Sequence, residues 1–179
     1  RCSKFLKIVR IVAYVLRWRR IVQGRKFASA LDTAELKPEE TSEAELVLWR
    51  SIQRRAFPEE YVALAKGEKI DVKSKLISLD PIFDEERKII IGGGRLQFSA
   101  LANETKHPIL VPSGDPLVRK MIDYVHQSHA HAAQDTTLSL VRQKFYVIHG
   151  RQEVRQVLGK CLPCRHASTK PLEQKMGVL

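Results

Sequence analysis

Phe5, Leu6, Ile8, Val9, Ile11, Val12, Val15 and Leu16 are interleaved with arginines and lysines in an opening stretch that holds no acidic residue. The spacing predicts a basic helix across residues 1–27 with an apolar side that needs a partner. Polar residues follow from 28 until Pro38, Glu39 and Glu40 supply a helix start signal. An amphipathic helix then runs through Leu46, Leu48, Trp49, Ile52 and Phe57, and a second, short one covers residues 58–66. Their apolar positions read as core.

Past Asp71 the period shortens toward that of strands. Residues 75–80 lead to Pro81, a polar turn spans 84–88, and the β-branched run Ile89, Ile90 and Ile91 follows. Gly92, Gly93 and Gly94 permit a sharp or bulged backbone. With no Lys-Ser/Thr pair and no helix start behind them, they do not read as a phosphate cradle. Residues 107–112 read as another strand, after which Asp115 is placed as a helix cap and Pro116 as the first helical residue. Leu117, Met121, Ile122 and Val125 then recur at helical spacing, carrying His126 at the helix end with His131 just beyond. A second helix covers 134–144, with Leu138, Val141 and Phe145 turned inward. Gly150 marks a turn, and Val154, Val157 and Leu158 line a third helix that leads into Cys161. The fold class is mainly α with a small β element (α+β).

Charge divides the chain of 179 residues unevenly: residues 1–27 carry +9, residues 28–104 carry −4 and residues 105–179 carry +6. Clustered positive charge attracts phosphate backbones through counterion release, so nucleic acid is the first partner to consider. The plain alternative is a solvated basic surface, or pairing with the acidic middle. Three cysteines, Cys2, Cys161 and Cys164, do not make a secreted disulfide scaffold, and a reducing compartment is the expectation. No apolar run reaches the ~18 residues that a membrane span requires.

Two clusters carry the chemistry. Zinc arms place ~3–5 residues between paired histidines and ~2–4 between paired cysteines. Four residues separate His126 from His131, and two separate Cys161 from Cys164. His129 lies one helical turn from His126 and could face the same metal, so spacing leaves His129 and His131 open. His149 and His166 read as solvent-facing or supporting groups. The stretch between the arms can hold two short helices, so a metal bound by both arms ties the ends of a helical unit together. Three short helices bury little apolar surface, and such small units need a staple. Four protein ligands leave no position for an activated water, which makes the expected zinc structural. A redox dithiol at Cys161 and Cys164 is the weaker alternative, because its usual βαβ setting is absent.

KFYVIHGR at 144–151, Val154 and Arg155, and CLPCR at 161–165, preceded by His126, His131 and TTL at 136–138, resemble the zinc-binding N-terminal domain of retroelement integrases. RSIQRRAFP at 50–58, LDPIFD at 79–84, GGRL at 93–96 and KHPI at 106–109 extend the similarity upstream, in a form associated with Bel-Pao-class long-terminal-repeat retrotransposon polyproteins. The resemblance covers most of residues 42–179. It implies a three-helix, helix-turn-helix-like zinc domain at 113–170 that helps integrase multimerise and hold the ends of element DNA. His126, His131, Cys161 and Cys164 would then bind one Zn2+.

Residues 28–112 would be a connector or integrase N-terminal extension built from helices and a β-hairpin. Residues 1–27 would be the tail of a preceding polyprotein region, and 171–179 a linker to a catalytic core carrying the three metal-binding carboxylates. Beginning at Arg1 rather than methionine and stopping at Leu179, the chain reads as an excerpt. No catalytic residue is expected within it, and Asp115, Asp123 and Asp135 read as a cap and surface residues. Arg142, Lys144, Arg151, Arg155, Lys160 and Arg165 are the candidate phosphate contacts. Expected partners are element DNA, a homo-oligomer through integrase, and other polyprotein regions, without a membrane. The expected places are a cytoplasmic particle and the nucleus. Two departures from the family pattern bear on turn geometry: Tyr146, Val147 and Ile148 stand where Trp, Ile and Pro are usual, and Ala133 replaces a common glycine. The rival reading is a zinc-stapled adaptor that binds proteins and not DNA.

Overall fold

Proline sets where several helices begin, because its fixed φ suits the first turn and its missing N–H costs nothing there. In the computed structural model, which describes residues 4–23, 35–93 and 103–169, α1 spans Lys4–Val22. It is followed by α2 at Pro38–Ala56 and α3 at Pro58–Ala65. The Glu40 carboxylate closes the start of α2 by accepting the Lys37 N–H at 2.9 Å and binds Arg17 Nε of α1 at 2.9 Å. A second ion pair, Arg20 with Glu43, continues the α1–α2 contact.

Strands β1 (Pro81–Asp84) and β2 (Ile89–Gly92) form an antiparallel hairpin in the register Pro81 opposite Gly92 and Asp84 opposite Ile89. After the short α4 (Asn103–Lys106), β3 (Ile109–Val111) joins β2 antiparallel. The strand period expected over 75–80 is not realised. Those residues turn through a 3-10 segment, Ile77–Leu79, and Asp80 takes a left-handed conformation at φ 46°, so the strand starts only at Pro81. Gly93 is required by a close approach: a Cβ there would lie 2.4 Å from the Asp80 carbonyl, which the Gly93 N–H meets at 2.8 Å.

The C-terminal helices are α5 (Pro116–Ser128), α6 (Gln134–Arg142), α7 (Gly150–Leu158) and α8 (Leu162–Ser168). Asp115 caps α5 by accepting the Leu117 N–H at 2.7 Å. Between α6 and α7 the chain makes a further strand, β4 (Phe145–Val147), which pairs parallel with β3, Ile109 opposite Phe145 and Val111 opposite Val147. The sheet order is β1-β2-β3-β4. Parallel neighbours require a long crossover, and here α5 and α6 supply it. A βαβ unit, expected to be absent, is therefore present; Cys161 and Cys164 lie beyond it, past α7.

Alternation along the strands separates two apolar layers. Ile89, Ile109, Val111, Phe145 and Val147 face a core shared with α1, α2, α5, α6 and α7. Ile90 and Leu110 face the other side, with Phe57, Tyr61 and Leu76. Trp49 is fully buried between Phe5 and Phe145, with ring centroids 6.2 Å and 4.8 Å away. Gln53, also fully buried, stitches β2 to β3. Its Nε2 donates to the carbonyls of Ile90 (2.7 Å) and Leu110 (2.8 Å), and its Oε1 accepts the Ile90 N–H. The chain is thus mostly helical with one small sheet, an α+β fold. None of the described helices is long and apolar enough to cross a membrane. Of the residues discussed from sequence, 1–3 (Cys2 among them) and 24–27 of the basic helix, the polar stretch 28–34, Gly94, Arg95, Leu96, residue 170 and the 171–179 linker lie outside the described residues.

Candidate metal centre and basic surface

The end of α5 makes the site. His126 sits on its last turn and is fully buried. The His126 Nδ1 is 3.0 Å from the Ala132 carbonyl, which can only accept, so Nδ1 carries the proton and Nε2 presents a bare lone pair. Ala132 O also accepts the hydroxyl of buried Thr137 at 3.0 Å. An outer hydrogen bond of this kind fixes tautomer and ring orientation in metal-binding histidines.

After His129 the backbone reverses through two consecutive left-handed residues, Ala130 (φ 52°) and His131 (φ 58°). Neither is glycine, and each such residue costs roughly 1–2 kcal/mol. The reversal is held by the His131 N–H donating to the His126 carbonyl at 2.9 Å, and it folds the His131 ring back over His126, with centroids 4.9 Å apart. His129 turns away. It is exposed, and its Nδ1 lies 2.9 Å from the Val125 carbonyl. Ala133, where the resemblance suggested a glycine, has φ −60° and ψ 166°, ordinary for alanine.

From the other end, Cys161 is the residue that precedes α8 and Cys164 lies in its first turn, both half-buried. His131 Nδ1 is 3.2 Å from His126 Nε2 and 3.2 Å from Cys161 Sγ; Cys164 Sγ is 3.2 Å from His126 Nε2 and 3.7 Å from His131 Nδ1. A zinc tetrahedron has edges of about 3.3 Å between nitrogens and about 3.5 Å between nitrogen and sulfur, given Zn–N near ~2.0 Å and Zn–S near ~2.3 Å. The four separations lie within about 0.3 Å of those edges. All four donor atoms lie within 4.8 Å of one another, and among the described residues this is the one group of three or more His, Cys, Asp or Glu side chains that converges in this way. Burial, with Cys161 beside it, pushes the Cys164 thiol up from its ordinary value. Such a pocket of lone pairs is best relieved by a cation.

Residues 114–170 match the family model of the integrase zinc binding domain. The matched stretch contains all four donors, and the donor set fits a single structural zinc. Searches of curated proteins and of solved structures found none that matches the chain.

The six candidate phosphate contacts do not form one patch. Arg142, Arg151 and Arg155 line a shared cleft of about 520 Å³ between α6, β4 and α7. Arg151 also meets Asp135 at 3.1 Å. Lys144 instead reaches α2, where it meets the Glu45 carboxylate at 3.1 Å. Lys160 lines a different cleft, beside Cys161, together with Lys4, Arg119 and Lys120. Arg165 is exposed on α8.

Those three further cations are absent from the sequence reading; Lys4 and Lys120 carry no motif that would mark them. Arg119 holds Glu153 (3.0 Å) and Gln156 (3.1 Å), tying α5 to α7. The remaining acids have local partners: Asp115 caps α5 and binds Arg55, and Asp123 accepts from Gln127 at 2.8 Å. Thr137, within the family-like TTL at 136–138, has no role that its residue type announces. Its part in anchoring the Ala132 carbonyl depends on a turn that spacing alone does not reveal.

Proposed function

We propose that this chain is the zinc-binding portion of a Bel-Pao-class retrotransposon integrase polyprotein, a non-catalytic segment that supports integrase multimerisation and binds the ends of element DNA. The observation that carries the reading is the convergence of two imidazoles and two thiols at tetrahedral spacing within the stretch that matches the integrase zinc binding domain. His126, His131, Cys161 and Cys164 would hold the metal, which when bound supplies a clip between the end of α5 and the start of α8. Four protein ligands close the site against substrate water, so its role is folding. Residues 1–27 are read as the tail of a preceding polyprotein region, residues 28–112 as an integrase extension, and 171–179 as the link to a catalytic core. A cytoplasmic particle and the nucleus are the places where such a protein works.

Arg142, Arg151 and Arg155, clustered on one cleft, are the proposed centre of DNA contact, with Lys160 and Arg165 beyond it and Lys144 sharing its charge with Glu45. Such side chains meet phosphates and carry little sequence information. The test is duplex binding by the zinc-loaded chain across a salt series. Affinity is expected to fall steeply with salt, and the Arg142→Ala/Arg155→Ala double variant should lower the log–log slope by roughly one to two. A flat salt response, or an unchanged slope in the double variant, contradicts the assignment.

A further inference from the structure

Helix α1 is apolar on two sides. Phe5, Val9 and Ala13 are buried against the rest of the chain. On the opposite side Ile11, Val15, Trp18 and Val22 are 53%, 55%, 65% and 64% exposed. Scattered exposed aliphatics are ordinary, but four in line, one of them tryptophan, mark a surface awaiting a partner. Their spacing of four, three and four residues is that of a coiled-coil seam, and at 1.5 Å per residue it runs about 17 Å.

Charge decides what can lie there. Helix α1 has six Lys and Arg residues and no acid. Arg17 and Arg20 are paired with Glu40 and Glu43 of α2. Lys4, Lys7 and Arg19 are exposed and have no ion pair among the described residues. At 100° per residue, Lys7 flanks the seam on one side and Arg19 on the other. A second copy of α1 would set these cations against each other. Tyr14 and Ile21, 42% and 41% exposed, widen the apolar face beyond Lys7. A helix lying in a lipid surface, however, backs its apolar face with a charged one, whereas the back of α1 is apolar and buried and its Arg17 and Arg20 are held by Glu40 and Glu43. We propose that the outer face of α1 docks an amphipathic helix of another protein segment, apolar along its centre and acidic along its flanks. This contact is separate from the metal centre and from DNA.

The experiment uses the full chain, zinc-loaded, and two synthetic helices three heptads long with leucine at a and d. One carries glutamate at e and g, the other lysine. Trp18 is the reporter, since the other tryptophan, Trp49, is already fully buried. Addition of the glutamate peptide should shift Trp18 emission to the blue, while the lysine peptide binds at least about tenfold more weakly. Val15→Glu should weaken the glutamate peptide at least about tenfold, with zinc content and helix signal unchanged because Val15 is a surface residue. Equal affinity for the two peptides, or full binding by Val15→Glu, overturns the proposal. So does a blue shift that follows self-association without peptide, or a preference for phosphatidylserine vesicles over the glutamate peptide.

Discussion

Replacing Trp49 by alanine should weaken zinc binding, although Trp49 lies far outside the stretch that matches the zinc domain. Trp49 is fully buried, and it bridges Phe5 of α1 to Phe145 of β4, the strand between α6 and α7. Truncating such a residue costs roughly 3–5 kcal/mol through lost transfer energy and the cavity left behind. If metal binding and folding are one event, the whole loss appears in the apparent zinc affinity. At about 1.4 kcal/mol per decade, that is roughly two to three and a half decades. Ile52→Val, a milder change in the same core, costs roughly 0.5–1.5 kcal/mol and should move zinc affinity by about a decade or less. Competition for zinc against a chromophoric chelator measures both variants, and their shifts should track the stability losses from urea unfolding. Wild-type zinc affinity in Trp49→Ala, with destabilisation confined to α1 and α2, would refute the coupling.

His129→Ala should leave zinc affinity within about twofold of the parent, whereas His131→Ala should abolish stoichiometric binding, because only the His131 ring reaches the cluster. Comparable losses in both would place the ligand wrongly. A pH-dependent contribution comes from Glu40, whose carboxyl the Arg17 guanidinium, aided by the Lys37 N–H, holds at about 2 instead of 4.5. A depressed carboxyl stabilises above its ordinary value and loses that effect as pH falls through its folded one. The stability gap between the chain and Glu40→Gln should therefore be about 1 kcal/mol near neutrality and narrow steadily below pH 4.5, toward about 2. A gap that stays constant across that range in urea titrations counts against the ion pair.

Much of the helical layout was legible because local chemistry marks it. Pro38, Pro58 and Pro116 stand at helix starts, and Asp115 caps α5, so those boundaries follow from residue type. Strand β4 was not legible. Phe145 read as an inward residue at the end of a helix, and its place in the sheet depends on parallel pairing with Ile109, which is remote in sequence and leaves no periodic trace over three residues. The apolar residues of 75–80 gave a strand pattern, but Leu76 alone is fully buried there, inserting into the second core from a turn, while Ile77 is exposed. At the metal centre, spacing supplied the two arms but not the choice between His129 and His131. That choice depends on the left-handed pair Ala130 and His131, a backbone reversal that neither residue announces. The basic side chains were legible as charge, but their division between two clefts and Glu45 depends on tertiary packing.

The most direct test is metal analysis of the purified chain, with circular dichroism before and after chelation. One zinc per chain and a loss of helix signal on its removal is the predicted result. Absence of stoichiometric zinc, or a helix signal that survives chelation unchanged, would contradict a fold clipped at His126, His131, Cys161 and Cys164.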